Sequence, residues 1–192
     1  MLTVRRPSDA TIAAFIANQA ATGFSYAQVG ATRSRSPAGF NVDHNRIQLG
    51  AGKDAFIAAV ESIRRWEMFR IGWVTLCWPS APIAAGQTVA VLVPLYGLWS
   101  LNACRIVYTV DDGDVVKRFG FAYGTLADHM ESGEERFTVE WRRDDDSVWY
   151  DLLAFSRPRH PLARLGLRLS RALQRRFARD SLRAMARASQ GL

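Results

Sequence analysis

The sequence predicts an α+β fold in which an antiparallel sheet lies against a long, arginine-rich C-terminal helix. Three observations carry this: β-branched and aromatic runs of period two in the middle of the chain, turn sequences between those runs, and a final segment of helical period with leucines on one side and arginines on the other. With 192 residues, 48% of them hydrophobic and 22% charged, the chain has the size and composition of one domain with a sizeable core, and residues 1–192 are expected to form it.

Ser8 and Asp9 suit an N-cap ahead of Ala10–Ala17, and Gly23 suits a C-cap, so a first helix should end near Ala21. Residues 25–39 are rich in Ser, Gly and Arg and lack periodicity; we expect an ordered loop lying over another surface, completing an N-terminal unit of residues 1–38. A strand from Phe40 to Leu49 follows and is broken at Gly50-Ala51-Gly52. Phe56, Ile57, Val60, Ile63 and Trp66 then recur at helical spacing, which predicts a helix over 53–67 inserted in a sheet region of residues 39–156.

Beyond this helix the period is two. Trp73–Trp78, Thr88–Leu95, Cys104–Val110, Val115–Tyr123, Arg136–Trp141 and Val148–Phe155 read as six strands. Asp111-Asp112-Gly113-Asp114 and Asp144-Asp145-Asp146-Ser147 are tight-turn sequences, so the strands should run as an antiparallel meander. Arg157-Pro158-Arg159-His160-Pro161 stops the last strand ahead of a C-terminal helix placed at 160–188. On that helix Leu162, Leu165, Leu169, Leu173, Phe177 and Ala184 share one sector, and Arg164, Arg168, Arg171, Arg175 and Arg179 lie opposite. The apolar stripe needs a partner, and the concave face of the sheet is the large one available.

Charge is unevenly distributed. The net +7 comes from the end of the chain, where ten arginines from Arg157 onward face a single acid, Asp180. Lys53 and Lys117 are the only lysines, so the basic surface is built from the residue suited to carboxylate and phosphate contacts. No run approaches the roughly 18 apolar residues of a membrane span. The first residues do not read as a secretory signal, and a cytoplasmic location is expected. Cys77 and Cys104 sit in apolar runs and read as buried thiols. No metal-ligand spacing, phosphate loop, nucleophile elbow or paired-carboxylate motif occurs, and neither metal nor cofactor is expected.

A series of short phrases resembles a known family: Gly97-Leu98-Trp99-Ser100-Leu101-Asn102, Cys104-Arg105-Ile106-Val107-Tyr108, Arg118 to Leu126 (RFGFAYGTL), Gly133-Glu134-Glu135-Arg136-Phe137 and Phe177-Ala178-Arg179-Asp180-Ser181. They are similar, over about residues 24 to 186, to the uncharacterised domain of unknown function nineteen-ninety. The order of elements resembles the helix-grip architecture of the START and pollen-allergen-like (SRPBCC) superfamily, in which a long helix lies across a curved sheet and encloses a cavity. The resemblance implies that fold and leaves the function open.

Strand alternation puts Phe119, Phe121 and Tyr123 on one face, and Phe137, Val139 and Trp141 on one face of the next strand. These aromatics, with Phe177 on the last helix, are either core or the lining of an apolar pocket; as a pocket, Phe119, Phe121, Tyr123, Phe137, Trp141 and Phe177 are the ligand-binding candidates. Arg105, Arg136 and Glu140 fall on the opposite face, where Gly120 and Ala122 leave room for the N-terminal helix or the 25–39 loop, and they read as ion pairs holding that segment. His44 is the candidate general base, although neighbouring Asp43 points to the other face of the strand and cannot form a dyad with it. Asp180, in the apolar sector of the last helix, needs a partner, with Arg176 and Arg183 within reach.

The expected function is binding of a hydrophobic or lipid-like small molecule. The alternative is a cavity enzyme of cyclase or hydrolase type, using His44, Tyr123 or Asp180 for acid–base chemistry. A third reading assigns Arg164, Arg168, Arg171, Arg175 and Arg179 to an acidic partner, an anionic membrane surface before nucleic acid, because no nucleic-acid-binding module is present.

Overall fold

The computed structural model of the protein describes residues 1–34, 37–159 and 167–190. Its elements are β1 (Leu2–Thr3), α1 (Asp9–Ala20), β2 (Asn41–Ala51), α2 (Gly52–Arg64), β3 (Thr75–Leu76), β4 (Thr88–Leu95), β5 (Leu98–Asp112), β6 (Val116–Thr125), β7 (Glu131–Arg142), β8 (Ser147–Pro158) and α3 (Leu167–Gln190). Single helical turns occur at Ala31–Arg33 and Glu67–Phe69. The strands form one curled, antiparallel eight-stranded sheet in the order β2-β8-β7-β6-β5-β4-β3, with β1 paired to β5. The last six strands are the expected meander, and β2 closes it by pairing with β8 from Asn41↔Ser156 to Ala51↔Ser147.

Local chemistry explains the elements. Ser8 Oγ accepts the Thr11 amide at 3.3 Å and starts α1, which ends at Ala21 in a helical conformation, two residues before the expected Gly23 cap. Gly113, at φ 103, makes the β5–β6 turn, where a Cβ would stand 1.8 Å from the Val116 carbonyl oxygen. In the β7–β8 turn, the Asp145 carboxylate accepts the Ser147 amide at 3.0 Å, and Asp146 takes the left-handed φ of 60° that short polar side chains tolerate. The expected strand 73–78 shrinks to Thr75–Leu76, pairing with Leu92 and Val91 at the sheet's edge.

On the inner face, α2 buries Phe56, Ala59, Val60 and Ile63, the i, i+3, i+4, i+7 stripe of an amphipathic helix. The helix stops at Arg64, earlier than the expected 67, because Trp66 turns to φ 56° and leaves the axis. A non-glycine residue there costs about 1–2 kcal/mol. The indole is 1% exposed and donates Nε1 to the Ala81 carbonyl at 3.0 Å, which offsets that cost. The outer face is covered by α1, whose Ile12 and Phe15 pack on Ala90, Leu92, Leu101, Ala103 and Leu126.

The C-terminal half of α3 buries Ala178, Ser181, Ala184 and Met185, and the helix lies against α2, β2, β8 and the Glu67–Phe69 turn. The earlier part of the expected helix, with His160, Leu162, Arg164 and Leu165, lies outside the described residues. No helix among the described residues is long and apolar enough to cross a membrane.

Candidate functional site

The two ends of the inner face differ. Toward α2, Phe121 and Phe137 stack with centroids 5.2 Å apart, Trp66 packs edge-on against Phe121 at 4.8 Å, and Phe69 covers Phe137 at 5.8 Å. Toward the first described turns of α3 the described residues leave a cleft of about 440 Å³ over the sheet. That volume lies within the range of about 300–1,000 Å³ typical of small-molecule sites. Its apolar walls are Phe69, Trp73 and Val74, Val91, Val93 and Leu95 of β4, Leu152 of β8, and Leu169, Leu173 and Phe177 of α3. Tyr96, 83% exposed, and Leu98 stand at its rim on the β4–β5 turn.

Glu135 of β7 faces this cleft. Its Oε2 accepts the Tyr123 hydroxyl at 2.9 Å. Burial raises its carboxyl to about 7; the Tyr123 hydrogen bond opposes the rise and the Asp43 charge adds to it. Burial likewise lifts the Tyr123 hydroxyl well above its ordinary value, with the Glu135 charge second. Asp43 of β2 is held by Arg171 of α3 through two hydrogen bonds of 2.5 and 2.7 Å, so the helix is clamped to the edge strand beside the cleft. Glu131 accepts the Ser170 hydroxyl, and burial raises its carboxyl against the pull of Ser170 and Arg171. His129 accepts the Glu131 amide on Nδ1 at 2.9 Å, and burial keeps the ring neutral by lowering it to about 4.

The outer face carries a sealed polar network. Glu134 accepts from the Tyr26 hydroxyl and the Gly30 amide at 2.7 Å each, from the Thr32 amide at 3.0 Å, and from the Thr32 hydroxyl. Gly124 makes room for Tyr26: a Cβ there would lie 2.0 Å from its hydroxyl oxygen. Arg136 bridges the Thr32 carbonyl and Asp151, and Arg105 donates to the Gln19, Ala20 and Thr22 carbonyls, closing the C-terminus of α1. Arg105 and Arg136 thus tie down the N-terminal segment through its carbonyls, whereas Glu140 pairs with Arg118 at 3.1 Å and Arg46 at 3.5 Å within the sheet.

A family profile described as Domain of unknown function (DUF1990) matches residues 25–184. The chain belongs to this family. Similar proteins are the UPF0548 protein of Dictyostelium discoideum, 36% identical with 98% of this chain and 95% of the relative covered, and the UPF0548 protein of Deinococcus radiodurans, also 36% identical with 98% and 99% covered. Among solved structures the chain is similar to Ara h 8.0201 (TM-score 0.51, 12% identity, 80% of this chain and 100% of that one) and to the hypothetical protein jhp0584 from Helicobacter pylori (TM-score 0.50, 12% identity, 78% and 88%). At this identity the likeness is one of fold, and the fold of this DUF1990 chain is the helix-grip.

Of the residues proposed from sequence as ligand contacts, Tyr123 and Phe177 line the cleft. Phe121 and Phe137 are fully buried beneath Trp66 and Phe69, Trp141 packs on Phe56, and Phe119 lies under Arg64 beside a surface groove at Pro79–Ile83. The 66–69 turn covers Phe121 and Phe137, and α2 covers Phe119 and Trp141, which leaves Tyr123 and Phe177 on the cleft.

The acid–base candidates separate as well. His44 is on the outer face, half exposed, with Nε2 2.6 Å from Asp151 diagonally across β8, and it does not line the cleft. Asp180 is also absent from the lining; it takes the Trp73 indole N–H at 3.1 Å and pairs with Arg179 and Arg176, not with Arg183. Burial opposes ionisation of Asp180, but Trp73, Arg179 and Arg176 outweigh it and hold the carboxyl below its ordinary value. Of the arginine stripe, half-buried Arg171 is engaged by Asp43 and Arg164 lies outside the described residues, while Arg168, Arg175 and Arg179 are exposed, the last of them pairing with Asp180.

Sequence reasoning missed Glu135. The signal was available: it stands two residues before Phe137 and so shares its face. The strand was expected to begin at Arg136, whereas β7 begins at Glu131.

Proposed function

We propose that this protein binds a small, largely apolar molecule in the cleft between the sheet and the first described turns of α3. The observation that carries the reading is the cleft itself: apolar walls from β4, β8, α3 and the 69–74 segment, with a few polar groups, chiefly Glu135 and Tyr123, at defined positions. Nile red, a neutral apolar dye, should gain fluorescence on binding. Leu173→Trp, which adds an indole to the cleft wall, should abolish that gain while the circular dichroism spectrum stays unchanged. A parent protein that does not bind the dye, or a filled variant that binds it equally well, overturns the reading.

A second reading, acid–base chemistry on the bound molecule, is favoured by one observation. The Tyr123–Glu135 pair lies in the cleft, and a carboxyl near 7 exchanges protons readily at neutral pH. Its test is a mass change in a copurified ligand on incubation with the parent protein and no such change with Glu135→Gln. A ligand unaltered by both proteins leaves binding as the function.

A further inference from the structure

The charges around the cleft do not balance. Asp43 has its counter-ion in Arg171, and Glu134 turns its carboxylate to the opposite face of the sheet. Glu135 has no arginine, lysine or histidine within ion-pairing distance among the described residues; its hydrogen-bond partner is the Tyr123 hydroxyl. Glu131, at the start of β7, has a buried Oε2 with no hydrogen-bond partner among the described residues. Of the other charged or titratable groups facing Glu135, Tyr123, Tyr150 and Cys104 are neutral on β6, β8 and β5, Asp43 on β2 is an acid, and Arg171 on α3 is already committed to Asp43. From the 66–74 segment only the apolar Phe69, Trp73 and Val74 line the cleft.

An uncompensated carboxylate in apolar surroundings is unfavourable, and a cation delivered with a ligand offsets that cost. A neutral ligand leaves the charge without a counter-ion, and an anionic one is repelled. We infer that the molecule bound in the cleft is a cationic amphiphile, its protonated amine seated on the Glu135 carboxylate and its apolar body lying along Val91, Val93, Leu173 and Phe177. The inference rests on the cleft-binding reading and adds the chemical class of the ligand. Tyr123 positions the carboxylate by holding one oxygen and leaves the other to the amine.

The experiment is displacement of Nile red by dodecylamine, dodecanol and dodecanoate, each below its aggregation concentration. With the unmodified protein at about pH 8, dodecylamine should displace the dye about tenfold more strongly than dodecanol, with dodecanoate the weakest. The amine's advantage should shrink as the pH falls toward about 5.5, because an alkylamine, like lysine with its pKa of about 10.4, stays protonated while Glu135 takes up its proton. Glu135→Gln should remove the advantage and leave displacement by dodecanol within about twofold. Equal displacement by amine and alcohol in the unmodified protein, or an advantage that survives Glu135→Gln, overturns the inference and leaves the cleft reading standing. Failure of the unmodified protein to bind Nile red overturns both. The pH series uses the unmodified chain, so the outcome does not depend on how the variant folds.

Discussion

Glu134 and Glu135 are neighbours on one strand with opposite surroundings. Glu134, on the outer face, collects two hydroxyls and two amides from the 26–32 segment and has no remaining capacity. Glu135, on the inner face, has one hydroxyl and an apolar cleft. A buried carboxylate is a structural fastener when the fold supplies its donors and a recognition group when it does not. The strand's period of two assigns one to each role.

The largest effect should come from removing the fastener. Glu134→Ala strands the Tyr26 hydroxyl and the donors of Gly30 and Thr32, so we expect a loss of about 3 kcal/mol or more in urea unfolding, with early proteolytic cleavage within residues 24–34. Stability equal to the parent would remove the contrast between the two carboxylates.

Glu135→Gln should act in the opposite direction. The folded-state carboxyl, raised to about 7, binds a proton that the unfolded chain releases near its ordinary value of 4.5. Its contribution is therefore complete below about 4.5 and is lost as the pH rises through about 7. The parent should lose about 2 kcal/mol of unfolding free energy across that window, after allowance for the face it presents to the cleft. The variant should lack this slope and be the more stable protein at about pH 8. A parallel pH profile for the two proteins would show that Glu135 does not carry the titration.

Arg171→Gln should have the smallest effect, about 1 kcal/mol, since both members of its pair with Asp43 are partly exposed. Its value lies in the cleft, where the freed Asp43 charge should raise the Glu135 carboxyl further and move the pH dependence of binding upward.

How far these roles could be read in advance depended on whether local chemistry settled them. Thr88–Leu95 forms a strand with the bounds its alternation gives, and the acidic turns make the expected hairpins. The covering of the outer face by residues before 40 followed from the small Gly120 and Ala122 on one side of β6. The cleft did not follow, because its position depends on Trp66 leaving the α2 axis through a left-handed residue, and nothing in helical spacing marks that departure. Glu135 was hidden for a related reason. Gly133-Glu134-Glu135-Arg136 has little β propensity of its own and is extended because β6 and β8 pair with it on both sides. The pairing of Arg171 with Asp43 joins residues that are close only after β2 has reached β8.

That pairing of β2 with β8 also has a bearing on how the chain is made. Val42 meets Phe155, Tyr26 meets Glu134 and His44 meets Asp151, each across more than a hundred residues. During synthesis the first third of the chain, including the apolar stripe of α2, must wait unpartnered until the meander has emerged behind it. Long loop closures of this kind slow folding and lengthen the exposure of sticky surface. The acquisition of structure in this protein should run from the central hairpins outward, with the N-terminal strand and its covering segment docking last, as the step that seals Glu134 and leaves Glu135 open.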